Sequence, residues 1–289
     1  MVSSARAPRE EHAAPAALFA GRVYVEGIAL WAPRLPGWAA ARGILRGEAL
    51  PCSPPAPRPA PALLAPNERR RATDSVAVAI EVASAACESS GRLPRELPSV
   101  FASTFGETAM SDYLCSQLAR APLDTSPTKF HNSVHNAAAG YWAIATGCPE
   151  PYTAIAAHRH TFGTGLILAS TQALADETAV LYVAYDIETP GPLATMSPSR
   201  GMLGAALVLA PGPTPHTRAM LELHVHTVET RATRPREANA AHVAGNAMAT
   251  CLALFEALAD AVPGDALRRE VVLTLAPRLA LRLEVAAAG

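Results

Sequence analysis

The residues of this 289-residue chain that could do chemistry are mostly histidines, and the densest group is the run His158-Arg159-His160. It follows the apolar stretch 152–157 (YTAIAA) and leads into 161–175 (TFGTGLILASTQALA), a strand-turn-helix pattern. A sharp turn from a buried strand into a helix is where α/β enzymes expose a nucleophile. The unpaired N–H groups of the helix's first turn stabilise a thiolate or an oxyanion there. Gly163 and Gly165 allow close backbone approach at that place. Arg159 cannot lose its proton in a protein. His158 or His160 therefore supplies any titratable group, paired with Glu107 or another carboxylate in a stand-alone acyl-transfer or thioester-hydrolysing reaction.

Two His-Asn pairs, His131-Asn132 and His135-Asn136, lie four residues apart, a spacing that one helical face or a tight turn could bring together. They could hydrogen-bond across a subunit interface, or satisfy loop backbone groups and cap a helix beginning at Ala137. Glu107 follows Gly106 at a strand end, where α/β sites are found, or acts as a dipole partner for the next helix. His224 and His226 alternate along a strand and so point to one face, as exposed strand histidines do. Neither they nor His216 and His242 form a recognisable catalytic motif. Arg69, Arg70 and Arg71 read as a basic docking patch or a solvated helix start.

The elements that must position these groups follow from periodicity. Alternation predicts strands over 22–30, 179–186, 202–210, 221–228, 270–276 and 279–285, and short buried strands over 99–105 and 152–157. Three- and four-residue spacings predict helices over 68–89 (stopped by Gly91), 108–118, 135–146, 161–175 and 240–258. In the helix over 108–118, Met110, Tyr113, Leu114 and Leu118 share a face. Prolines keep 51–66 out of regular structure, and residues 1–20 read as a disordered leader. Strands alternating with helices imply parallel βαβ units and a layered α/β core.

Half of the residues are apolar and 17% charged, and Lys129 is the one lysine. A net charge of −1 and a pI near 6.8 give no electrostatic footprint for nucleic acid or an anionic membrane. The five cysteines are scattered, with no CxxC pair and no metal-ligand spacing, so no metal or cofactor is expected. Neither a signal-peptide h-region nor an 18-residue apolar run is present, so a cytoplasmic protein without a membrane span is expected.

The ordered series LAPNERRR, VFASTFGE, SPTKFHNSVHNAAAGYWAIATG, the HRHT turn, LYVAYD and RGMLGAALVLAP resembles the beta-ketoacyl synthase family. It is most similar to the short, N-terminal-domain-like branch found with aryl-polyene and related pigment pathways. The resemblance implies a thiolase-like layered α/β/α fold, truncated in its C-terminal half, with residues 21–289 as one domain and 215–289 as the reduced half. Active relatives carry a nucleophilic cysteine at the turn. Counting back from Ala169 puts that position at Arg159, and no cysteine lies between 149 and 250. Active members also take two histidines from a longer C-terminal half, of which this chain stops about a hundred residues short by comparison with the family.

The implied role is a non-catalytic subunit resembling a chain length factor. Its expected partners are a full-length ketosynthase, in a heterodimer or dimer of heterodimers, and an acyl-carrier protein reached through that complex. In such relatives bulky residues set the depth of an acyl tunnel crossing the interface, and the matching positions are Met110, Leu114, Phe130, His131 and Val134. Asn132, His135 and Asn136 fall at the implied interface. A self-associating scaffold is the remaining alternative.

Overall fold

The computed structural model describes residues 17–227 and 231–288. Strand β1 (Phe19–Ala32) leads through β2 (Leu35–Pro36), helix α1 (Trp38–Leu45) and an irregular proline-rich stretch into α2 (Pro66–Arg71) and α3 (Asp74–Ser90). Next come β3 (Ser99–Ala102), α4 (Thr108–Arg120), α5 (Pro127–Ser133), α6 (Ala137–Thr146), β4 (Tyr152–Ile155) and α7 (Thr161–Ala175). The remaining elements are β5 (Val180–Asp186), β6 (Leu203–Ala210), β7 (Ala219–His226), α8 (Glu237–Ala240), α9 (Leu252–Asp260), β8 (Arg269–Ala276) and β9 (Leu279–Ala287).

Four expectations change, each for a local reason. Most of the leader expected over 1–20 lies outside the described residues. Its end does not, because Phe19 and Ala20 already pair with Val225 and His224 in the sheet. The helix expected over 68–89 breaks at Ala72 and Thr73, which adopt extended backbone. There Arg58 of the proline-rich stretch donates to both carbonyls, at 2.5 and 3.0 Å, and the Thr73 carbonyl also accepts the Ala77 N–H (2.9 Å) that opens α3. The helix expected over 240–258 is interrupted at Gly245, whose φ of 79° is left-handed, and at Asn246, whose side chain is held elsewhere. Finally, only β3 has parallel neighbours, β4 and β5; the other pairings are antiparallel. Parallel pairing needs a crossover, usually a helix; β8 and β9 are joined by a tight turn, β5 and β6 without an α-helix, and β1 pairs antiparallel with both β6 and β7.

The strands form one sheet in the order β4-β3-β5-β6-β1-β7-β9-β8, with β2 on β1. Alternation along β1, β5 and β6 sends Ala29, Trp31, Leu181, Val183, Ala206 and Val208 to one face, under α3 and α6. Val25, Leu30, Tyr182, Ala184, Leu207 and Leu209 go to the other, against α7 and α9. The second core also takes Leu221, Leu223, Val271, Leu281 and Leu283, so the sheet curls around α7 and α9 and gives a layered α/β/α arrangement. On the outer side of β7, β9 and β8 the alternation turns polar. Arg268 pairs with Glu222 (2.5 Å) and Glu284 (3.3 Å), and Arg282 with Glu270 (2.7 Å). Exposed pairs of this kind add little stability; they mark a face turned to water. Among the described residues no helix is long and apolar enough to cross a membrane.

Candidate functional site

The turn between β4 and α7 is built by its own threonine. The Thr161 hydroxyl donates to the carbonyl of His158 (2.6 Å) and accepts from the N–H of Ala157 (2.9 Å), while the His160 N–H donates to the Ala157 carbonyl (3.0 Å). This clamp holds His158 at φ 52°, in the left-handed region that non-glycine residues enter at a cost. Such strain is characteristic of a functional turn. His158 is exposed and stands edge-on to Phe105, with ring centroids 6.4 Å apart. Arg159 is exposed too. His160 is half-buried and donates its Nδ1–H to the carbonyl of Thr274 on β8 (2.9 Å), leaving Nε2 as the other ring nitrogen.

Glycines bring α7 down onto the sheet. A Cβ on Gly165 would lie 2.8 Å from the Tyr182 ring, and one on Gly163 3.0 Å from the Leu275 side chain. The Tyr182 hydroxyl donates to the Phe162 carbonyl (2.6 Å), pinning the helix's first turn to β5. The buried thiols stay neutral: burial pushes that of Cys87 up to about 12 and raises that of Cys251, so both stay protonated within the core.

Glu107 does not serve the turn. It is buried and accepts a 2.5 Å hydrogen bond from the Ser75 hydroxyl of α3, and among the described residues no hydrogen bond joins it to His158 or His160. The carboxylate that organises the strand ends is Asp186, at the tip of β5. It accepts from the Ser103 hydroxyl (2.8 Å) and from the N–H groups of Thr104 (3.0 Å) and Phe105 (3.2 Å), shaping the loop before α4. Burial raises its carboxyl above the usual range, against the pull of those donors. Asn246 latches the loop before α9 onto the same strand end, donating to the carbonyls of Asp186 (3.1 Å) and Arg200 (3.0 Å). A lone acidic residue closing the all-apolar run LYVAY was the signal for Asp186. Asn246 had none, since its partners lie 46 and 60 residues away.

Asp186→Ala strands two main-chain donors and is expected to lower stability by about 2 kcal/mol, measured as the urea midpoint. Asp186→Asn keeps an acceptor oxygen and should lose less than half as much. Equal losses would show that volume, not hydrogen bonding, holds the loop.

The His-Asn pairs separate rather than converge, because α5 ends at Ser133 and α6 starts at Ala137. Asn132 is buried and accepts from the Tyr141 hydroxyl (3.1 Å), and the His131 ring lies 6.3 Å from that of Tyr141. His135 donates Nε2–H to the Ser103 carbonyl (2.9 Å), tying this segment to the Asp186 loop. Asn136 is exposed and precedes α6 without a side-chain cap. Of the other positions singled out by sequence, Leu114 is buried, Met110 half-buried, and Phe130 and Val134 exposed. Leu118 is 54% exposed, so the apolar face expected for α4 is only partly covered. His224 and His226 stack on the polar face of β7, with ring centroids 6.0 Å apart, far along the sheet from β4.

The fold is shared with solved structures, among them these three. One is a ketosynthase (ApeO) in complex with its chain length factor (ApeC) from Xenorhabdus doucetiae, at 18% identity and TM-score 0.66, covering 91% of this chain and 98% of that one. The ishigamide ketosynthase/chain length factor matches at 16% identity and TM-score 0.67, over 93% of this chain and 100% of that one. The complex AntDE:AntF, a type II polyketide synthase acyl-carrier protein with its ketosynthase, matches at 10% identity and TM-score 0.68, over the same shares. At such identities the likeness shows the thiolase-like fold, here over nearly the whole of each matched chain. No curated protein matches the sequence. Residues 45–262, three quarters of the chain, match the family described as beta-ketoacyl synthase, N-terminal domain. With that match over the helices, the β4–α7 turn and the Asp186 loop, the chain belongs to the beta-ketoacyl synthase N-terminal domain family.

Proposed function

We propose that the chain is a non-catalytic partner of a ketosynthase, resembling a chain length factor, that shapes the acyl tunnel across a heterodimer interface in polyene or fatty-acyl biosynthesis. One observation carries the reading: the strained β4–α7 turn is kept and clamped, yet it presents His158, Arg159 and His160 where the chemistry needs a thiolate. A turn preserved without its nucleophile serves assembly or substrate shape.

The surface supports a partner. Strand β4 is an open edge of the sheet, and beside it Phe130, Val134 and Ile144 of the α5–α6 region leave apolar side chains in water. An open edge bordered by apolar groups is a pairing site. Residues 21–289 act as one unit in this reading, in the cytoplasm, with acyl-carrier protein delivering the chain to the complex. Met110 and Leu114, covered from α4, would limit tunnel depth, with Phe130, His131 and Val134 at the interface end. Stand-alone hydrolysis through His160 finds less support, since its Nδ1 is spent on a carbonyl and no carboxylate is bonded to it.

Co-expression with a full-length ketosynthase of the same pathway, followed by native mass spectrometry, tests the reading. A stoichiometric heterodimer or dimer of heterodimers is expected, and Met110→Ala in that complex should lengthen the products seen by mass spectrometry. A homodimer or monomer that ignores the ketosynthase would overturn it.

A further inference from the structure

We propose that the cleft between the β4–α7 turn and β8 is a non-covalent binding site for a small amphipathic anion, with a carboxylate or phosphate-monoester head and a short apolar tail. The cleft has a volume of about 290 Å³ and is walled mainly by apolar groups, among them Gly163, Pro235 and Leu273. That is room for a small organic ligand rather than a bare ion.

Its polar lining has one sign. Arg159 from the turn and Arg234 from the segment after β7 both line the cleft, together with His160. No aspartate or glutamate among the described residues lines it. Among the described residues neither arginine makes an ion pair or a side-chain hydrogen bond, whereas Arg22, Arg92, Arg236, Arg268, Arg269 and Arg282 are all paired with carboxylates. Two unpaired guanidinium groups facing one apolar cleft favour an anionic head, which each can meet with forked N–H donors. The hydroxyl-bearing Thr250 and Thr274 add donors for its second oxygen.

Gly163 keeps the cleft open. It lies on the inner wall, where a side chain would meet Leu273 and Leu275 at 3.4 and 3.0 Å. His160 is already anchored through Nδ1, so its ring forms part of a preorganised wall and Nε2 is the nitrogen left for a ligand. The cleft shares the β4–α7 turn with the partner reading but not its surface: it opens towards β8, while the open edge and apolar face lie by β4, α5 and α6.

Equilibrium dialysis of the full chain against octanoate, octyl phosphate, octanol and octylamine tests the proposal. Both anions, or one of them, are expected to bind about tenfold or more tightly than octanol, with octylamine excluded. The tighter of the two identifies the head group. Arg159→Gln combined with Arg234→Gln should remove that preference while leaving the thermal midpoint unchanged, since both side chains are exposed. Octanol or octylamine binding as well as the anions would overturn the proposal in the wild-type chain alone. Unaltered anion binding in the double variant would overturn it independently.

Discussion

Ala154→Pro is expected to weaken assembly with the proposed ketosynthase partner about 100-fold while leaving the isolated chain folded. Strand β4 pairs in parallel with β3 on one side only, where the carbonyls of Pro151 and Ile155 accept from the N–H groups of Ser99 and Ser103. In a parallel ladder alternate residues bond to the same neighbour, so 151, 153 and 155 face β3 and the backbone of Tyr152 and Ala154 faces outward. Proline at an outward-facing position of an edge strand removes no internal hydrogen bond. Against a partner strand it removes a donor and wedges a ring into the seam. Roughly 3 kcal/mol, or about 100-fold in affinity, is the expected loss, read by titration calorimetry against the ketosynthase. Thr153→Pro, one residue away, should instead break pairing with β3 and lower the chain's own stability. A heterodimer that forms normally with Ala154→Pro would show that β4 is not the seam, whatever else joins the subunits.

Gly27→Ala should damage the fold more than any other single methyl addition. Gly27 sits at the irregular point of β1, and a Cβ there would lie 2.1 Å from the carbonyl oxygen of Ala86 in α3. That oxygen is main chain, so relief requires the buried α3 to lift off the sheet rather than a side chain to rotate. A loss of more than about 3 kcal/mol is expected, seen as a lowered urea midpoint or failure to fold solubly. Gly140→Ala is the contrast. Nothing lies within 4 Å of a Cβ built there, and alanine in the middle of α6 should stabilise by up to about 1 kcal/mol. If Gly27→Ala keeps the wild-type midpoint, the close α3–β1 approach is not a constraint in solution.

Both substitutions depend on how elements meet, and that separates what the residues reveal alone from what the tertiary structure adds. Periodicity was enough where one element carries its own signal: 161–175 is helical over that span, and 179–186 and 202–210 lie within a residue of β5 and β6. The turn was equally legible, since Gly163, Gly165 and the threonine that clamps it are local. That no cysteine lies between 149 and 250 needed only counting.

Expectation and structure part wherever a distant group decides. The helix over 68–89 breaks where Arg58 binds the Ala72 and Thr73 carbonyls, and the one over 240–258 breaks because Asn246 is drawn to Asp186 and Arg200. The His-Asn pairs read as a cluster, yet Tyr141 and Ser103 claim them separately. Glu107 looked like a partner for the turn and is spent on Ser75. Strand direction and the cleft beyond His160 depend on where β8 returns along the curled sheet. Residues 159 and 234 become neighbours only because burying the inner faces of β7, β8 and β9 against α7 and α9 folds the sheet around them. By itself the sequence determined the family's elements and the lack of a cysteine in the β4–α7 turn, because those are written within single segments. The tertiary structure alone decided which charged groups are paired, which edge stays open and which cleft remains, because each depends on contacts between segments far apart in the chain.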